Sequence, residues 1–311
     1  MSELHRIVAA TDLSPASVNA VDRGFEIAQQ TGAHYTVVHA LGLDALGPLR
    51  NLLGSDADLV AEKAIQNQYN ALAALAGDGA RNRGLVAELV VEAGLATSFV
   101  PAYAASVQAD LVLVGARGQS TLTRLLVGST ASRLLRKSTC PVLVVKTPVS
   151  SHYSRVLVPV DFSPGNAASI RMARRVAPQA DLVLLHSFDV PFEGMLQYAG
   201  VAQDTILGYR REARERTLRM LHELADTAGL DRGSYTAVVE HGDASRHIFD
   251  TQARYACDLV AMGKHGTHVT EELLLGSVTK HVLSEVDADI LVTIDRHGPT
   301  TLPSLPGEDF V

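Results

Sequence analysis

Short apolar runs alternate along this chain with stretches of helical period. Residues 6–10 form the first run and read as a strand. Ser14 then stands as a helix N-cap with Pro15 at the first helical position. Val18, Val21, Phe25 and Ala28 fall on one face of the helix that follows. Residues 35–39 read as a second strand, 56–80 as a long alanine-rich helix, 86–91 as a third strand and 96–107 as a helix. A fourth strand at 111–114, a helix from Ser129 to about Lys137 and a fifth strand at 142–145 complete the series. Strands this uniformly apolar, separated by helices, belong to a doubly wound α/β fold with a parallel sheet covered on both faces. Such sheets hold ligands at the carboxyl ends of their strands, where the strand order switches direction. Asp12, His39 with Ala40, and Gly115 onward therefore become the positions of interest.

The pattern then repeats. Ala9-Ala10-Thr11-Asp12-Leu13-Ser14-Pro15 returns as Val158-Pro159-Val160-Asp161-Phe162-Ser163-Pro164, and Val37-Val38-His39 as Leu184-Leu185-His186. Asp161 lies 149 residues after Asp12, His186 lies 147 after His39, and Gly263 lies 148 after Gly115. A register this steady means a tandem duplication with small local insertions. The polar stretch Thr147-Pro148-Val149-Ser150-Ser151 reads as the linker. The expected units are residues 1–147 and 152–296, each a five-stranded parallel sheet, with a mobile, proline-containing tail at 297–311.

One segment carries candidate chemistry in both copies. Gly115-Ala116-Arg117-Gly118 is followed after nine residues by Gly128-Ser129-Thr130, and Gly263-Lys264-His265-Gly266 after nine residues by Gly276-Ser277-Val278. Each G-x2-G-x9-G-S loop leaves an apolar strand and ends where a helix begins. Glycines there let a ligand approach the backbone closely. Amides at a helix start, with the helix dipole behind them, suit a phosphate. Arg117 and Arg124 can neutralise phosphate charge in the first loop, and Lys264, His265 and His268 partly offset Glu271 and Glu272 in the second. The competing reading is a turn glycine-rich for packing alone. The loop is neither a G-K-[ST] phosphate loop nor a G-x-G-x-x-G fingerprint. Asp12 has two readings of at least equal weight, an acceptor for an adenine amino group or a cap for the helix at Pro15. His39 and His186 read as hydrogen-bonded structural residues, and His265 with His268 lacks further ligands for zinc.

Charge and composition narrow the partners. The net charge is −7 over 311 residues, against a broad nucleic-acid footprint. No apolar stretch approaches the ~18–20 residues that cross a bilayer, and the first apolar run is too short for a signal-peptide core. The two cysteines, Cys140 and Cys257, show no zinc spacing and fit free thiols in a reducing compartment. A cytoplasmic protein is expected, binding neither nucleic acid nor membrane.

The two loops, the strand ending in Thr11-Asp12-Leu13-Ser14, and the run Ser138-Thr139-Cys140-Pro141-Val142-Leu143-Val144-Val145 together resemble the universal stress proteins, over almost the whole chain as two copies. The glycine loop is the mark of that family's ATP-binding members. The resemblance implies strand order 3-2-1-4-5 in each half and pairing of fifth strands, 142–145 with 290–294. It implies that ATP, or AMP or ADP in its place, binds with magnesium carried by the nucleotide. It puts Asp12 on adenine, Ala40 beside the base, Val114 and Gly115 near the ribose and phosphates, and Arg117, Gly118, Gly128, Ser129 and Thr130 on the phosphates. The matching second-half positions are Asp161, Ser187, Met262, Gly263, His265, Gly266, Gly276, Ser277 and Val278. Departures are Ala10 where the family often has the proline kept at Pro159, the small Ala40 and Ser187 beside the base, His265 in place of Arg117, and 285–289 without the Cys-Pro of the first half. Arg117 in one loop against His265 with Glu271 and Glu272 in the other makes the first half the stronger expected site. The expected role is a nucleotide-dependent stress regulator with unidentified protein partners, with homodimerisation left open. The alternatives are a slow ATPase or adenylate-transferring enzyme, and an interaction scaffold with vestigial sites that docks partners on helices such as 201–228.

Overall fold

The computed structural model describes residues 3–42, 56–116, 128–264 and 275–294. In the first half β1 (Arg6–Ala10), α1 (Pro15–Thr31) and β2 (His34–Leu41) are followed by α2 (Asp56–Ala76), α3 (Gly79–Asn82) and β3 (Glu88–Ala93). Then come α4 (Ala96–Ser106), β4 (Leu111–Gly115), α5 (Ser129–Lys137) and β5 (Val142–Val145). The second half runs β6 (Arg155–Pro159), α6 (Asn166–Val176), β7 (Asp181–Phe188), α7 (Glu193–Tyr198), α8 (Gln203–Thr227), β8 (Tyr235–His241), α9 (Ala244–Tyr255), β9 (Leu259–Gly263), α10 (Ser277–Glu285) and β10 (Asp289–Thr293).

All ten strands form one sheet in the order β3-β2-β1-β4-β5-β10-β9-β6-β7-β8. Each half keeps the expected 3-2-1-4-5 order with parallel neighbours. The halves join where β5 and β10 pair antiparallel, Leu143 opposite Leu291 and Val144 opposite Ile290. This pairing turns the halves head to tail, so their carboxyl strand ends lie on opposite edges of the sheet.

Alternation along the buried strands sorts the core into two layers. Ile7 and Ala9 face α1 through Val21, Phe25 and Ala28, and the same layer continues into the second half through Leu291, Val156 and Ile170. Val8, Val112 and Val144 face the other way, against Val100 of α4, Leu134 and Leu135 of α5, and Val282 of α10. Both free cysteines lie buried in this second layer.

The structure corrects several boundaries. The alanine-rich helix ends at Ala76, because Asp78 breaks it and restarts the chain, its carboxylate accepting from Ala80 N at 3.0 Å. The third strand begins at Glu88, where pairing with Thr36 begins, and Val86 is left 95% exposed. In the second half the helix expected at 201–228 spans Gln203–Thr227, and the last strand is Asp289–Thr293. The tail at 297–311 lies outside the described residues. Among the described residues no helix is long and apolar enough to cross a membrane.

Candidate functional site

The chain leaves β1 toward β2 on one side and β4 on the other, so the direction of winding switches between β1 and β4. Asp12, Ala40 and Gly115 come off the ends of β1, β2 and β4 around that point. Asp161, Ser187 and Gly263 do the same from β6, β7 and β9 on the opposite edge.

After β1 the backbone turns sharply. Leu13 takes φ 63°, and its counterpart Phe162 takes φ 60°. A short hydroxyl network holds the first turn. Leu13 N donates to Thr11 Oγ1 at 2.9 Å, Thr11 Oγ1 lies 2.8 Å from Ser17 Oγ, and Asp12 N donates to Ser17 Oγ at 3.2 Å. Asp12 Oδ1 accepts from Ser14 N at 3.0 Å and from the Ser14 hydroxyl, beside the cap Ser14 makes for α1. In the second half Asn166 stands in for Ser17: Asp161 N donates to Asn166 Oδ1 at 2.8 Å, and Asp161 Oδ1 accepts from Ser163 N at 3.1 Å. Asp12 thus holds the turn beside the Ser14 cap, as one of its two readings had it, while Asp161 holds its own turn and caps no helix, α6 starting only at Asn166 after Gly165. Behind each turn a histidine ring pins the strand end, His39 Nδ1 2.8 Å from Thr11 O and His186 Nδ1 2.8 Å from Val160 O. Both are the structural residues the sequence suggested.

The glycine loops close on themselves at the neck. Ala116 N donates to Val145 O at 2.8 Å, and Gly128 N returns to Ala116 O at 2.8 Å. The second half repeats this with Lys264 N on Thr293 O at 2.9 Å and Gly276 N on Lys264 O at 3.1 Å. The N–H groups of Gly128 and Gly276 are therefore spent inside the protein, which corrects their expected place among the phosphate donors. The next three amides differ. Among the described residues no side chain caps α5 or α10, whose N-cap residues are Gly128 and Gly276. Among the described residues no acceptor meets the N–H groups of Ser129, Thr130 and Ala131, nor those of Ser277, Val278 and Thr279. Ser129, Thr130 and Ser277 are exposed and Val278 is half-buried. An uncapped helix start at a winding switch point is an anion site in form.

Gly115 has a different reason to be glycine. A Cβ there would meet Ala16 O at 2.7 Å and Ser17 Cα at 2.8 Å, so β4 ends hard against the start of α1. The side chains of Val114 and Met262 are buried in the core, leaving only their backbone toward the edge. In the second half that backbone is occupied as well: Thr293 Oγ1 donates to Met262 O and Thr279 Oγ1 to Gly263 O, each at 3.2 Å. Val145 and Ala131 fill the matching first-half positions and carry no hydroxyl. Lys264 is buried, with its Nζ 2.8 Å from Arg136 O at the far end of α5. Arg117, Gly118, Arg124, His265, Gly266, His268, Glu271 and Glu272 lie outside the described residues.

The sequence profile described as "Universal stress protein family" matches residues 3–146 and again 152–293. The chain belongs to the universal stress protein family. A universal stress protein of Mycolicibacterium smegmatis is 31% identical over 201 residues, 62% of this chain and 64% of that relative, so the match leaves about a third of the relative's length uncovered. A universal stress protein of Methanocaldococcus jannaschii is 29% identical over 144 residues, 46% of this chain and 82% of its own length. The crystal structure of a universal stress protein from Archaeoglobus fulgidus superposes with a TM-score of 0.64 at 20% identity, covering 93% of this chain and 98% of that one. A Pseudomonas aeruginosa structure described as a putative universal stress protein gives 0.60 at 17% identity, covering 94% and 93%. These two superpositions establish the shared fold of a tandem universal stress protein.

Sequence reasoning missed a buried network beneath the seam. Arg23 of α1 reaches Asp289 of β10, Glu26 and the ring of Tyr153 in the linker region. The visible signal was Asp289 itself, a carboxylate where the first half carries Pro141.

Proposed function

We propose that this universal stress protein binds ATP at the carboxyl strand ends of each half and acts as a nucleotide-dependent regulatory protein. The observation that carries the reading is the pair of uncapped helix starts, α5 and α10, each directly after a glycine loop at a winding switch point. Ser129, Thr130 and Ala131 would give amides to the phosphates in the first half, and Ser277, Val278 and Thr279 in the second. Arg117, Gly118, His265 and Gly266 would help hold the phosphates, with magnesium carried by the nucleotide. Asp12 and Asp161 would meet adenine, and Ala40 and Ser187 would flank the base. The first half is the stronger site, because it carries Arg117, lacks the two loop glutamates, and has Val145 and Ala131 where the second half carries Thr293 and Thr279.

Titration calorimetry of the full chain with magnesium ATP tests this. Saturable heat is expected, with Thr130→Asp removing more of it than Val278→Asp. Each variant sets a carboxylate against the phosphates at a helix start that tolerates acidic residues. No heat and no thermal shift with ATP would reject nucleotide binding, and equal losses from the two variants would reject the asymmetry.

A further inference from the structure

Two lysines cross the seam, and each links the loop neck of one half to the phosphate-site helix of the other. Lys264 is one residue past β9 and is itself the neck of the second-half loop, its carbonyl accepting from Gly276 N at 3.1 Å. Its Nζ donates to Arg136 O at 2.8 Å, in the last turn of α5. In the other direction, Lys146 follows Val145, whose carbonyl accepts from Ala116 N at the neck of the first-half loop at 2.8 Å. Lys146 Nζ donates to Val286 O at 2.5 Å, the C-cap of α10.

The antiparallel β5–β10 pairing brings these groups together. The carboxyl edge of one half, where its loop begins, lies alongside the amino edge of the other, where α5 or α10 ends. The crossing is also not a simple copy of the repeat. Ala116 matches Lys264, and Ile294 matches Lys146, so each link is made by an amine that the repeat partner lacks. A cation at a helix C-terminus is favourable for the same reason an anion at the N-terminus is. Each of these nine-residue helices thus has one end at its own half's candidate site and the other end held from the opposite half's loop neck.

We infer that the two sites are coupled: a polyphosphate seated on one helix start raises the affinity of the other half, and Lys264 and Lys146 carry the effect. This rests on the nucleotide reading above. A phosphate that fixes α5 also fixes Arg136 O, and through Lys264 it orders the second neck before that half takes its own ligand. Coupling of this kind is reciprocal and typically reaches about tenfold.

The test is magnesium ATP calorimetry on four full-chain proteins: the parent, Thr130→Asp, Lys264→Met, and both substitutions together. In the parent background, closing the first site with Thr130→Asp is expected to weaken the second about tenfold. In the Lys264→Met background the same closure should change it less than about twofold. Lys146→Met with Val278→Asp repeats the cycle from the other side, and decides the matter if Lys264→Met does not fold. An equal change in both backgrounds, or none in the parent, overturns the coupling and leaves nucleotide binding standing. A parent that takes up no ATP overturns the nucleotide reading and the coupling with it.

Discussion

Arg23 Nε lies 3.6 Å from Asp289 Oδ2, an ion pair between the first helix of one half and the last strand of the other. The guanidinium also sits 4.0 Å from the centre of the Tyr153 ring and donates to Glu26 at 3.1 Å and to Ser151 O at 2.9 Å. Asp289 accepts in addition from Lys146 N at 2.8 Å, Thr147 N at 3.1 Å and the Tyr153 hydroxyl at 2.6 Å. Glu26 is further engaged by Gln30 and His152. One buried carboxylate thus fixes the linker against both halves.

Removing one member of a buried pair leaves the other charged and uncompensated, at a cost of about 3–5 kcal/mol. Asp289→Ala is expected to lower the stability of the full chain by about that amount in urea unfolding. Asp289→Asn, which keeps an acceptor for the linker amides, should cost less. A double cycle with Arg23→Met should recover part of the loss, since the orphaned cation is then gone. A loss from Asp289→Ala within about 0.5 kcal/mol of zero would mean the network does not hold the seam.

Gly115→Ala should destabilise the protein by about 1–3 kcal/mol, as overpacking does. The atoms its Cβ meets belong to the backbone of Ala16 and Ser17, which cannot swing aside. The same loss is expected with and without nucleotide. A variant as stable as the parent that binds ATP less well would restore the view that this glycine serves the ligand.

His186 makes stability depend on pH. Burial holds its imidazole below the usual 6.5, against the opposite pull of the Val160 carbonyl and Asp161. The unfolded chain therefore takes up this proton first. The contribution is fully present above the unfolded value and is lost as pH falls from there through the lowered folded value. Urea midpoints should drop as pH falls below about 6.5, and His186→Asn, which can still donate to Val160 O, should flatten that drop. An unchanged slope in the variant would assign the effect to other groups.

Much of this architecture was legible because its signals are local. The repeat register, the apolar strands and the helix starts after Gly128 and Gly276 follow from neighbours in sequence, and the pairing of fifth strands came with the family resemblance. Asp78 was equally local, but it sits in an alanine-rich run whose periodicity overrode a two-residue break. Gly115 was read as room for a ligand because a sequence cannot say which neighbour occupies the space of a missing Cβ. Partners from opposite ends of the chain were out of reach: nothing near Asp289 names Arg23, and nothing near Lys264 names Arg136. Those contacts exist only once β5 and β10 have paired.

Backbone amide NMR of the 15N-labelled full chain with added magnesium ATP reads directly which amides receive the phosphates. The prediction is that the Ser129, Thr130 and Ala131 resonances shift most in the first half, with Ser277, Val278 and Thr279 following in the second. Nucleotide that binds while those six amides stay in place would contradict it.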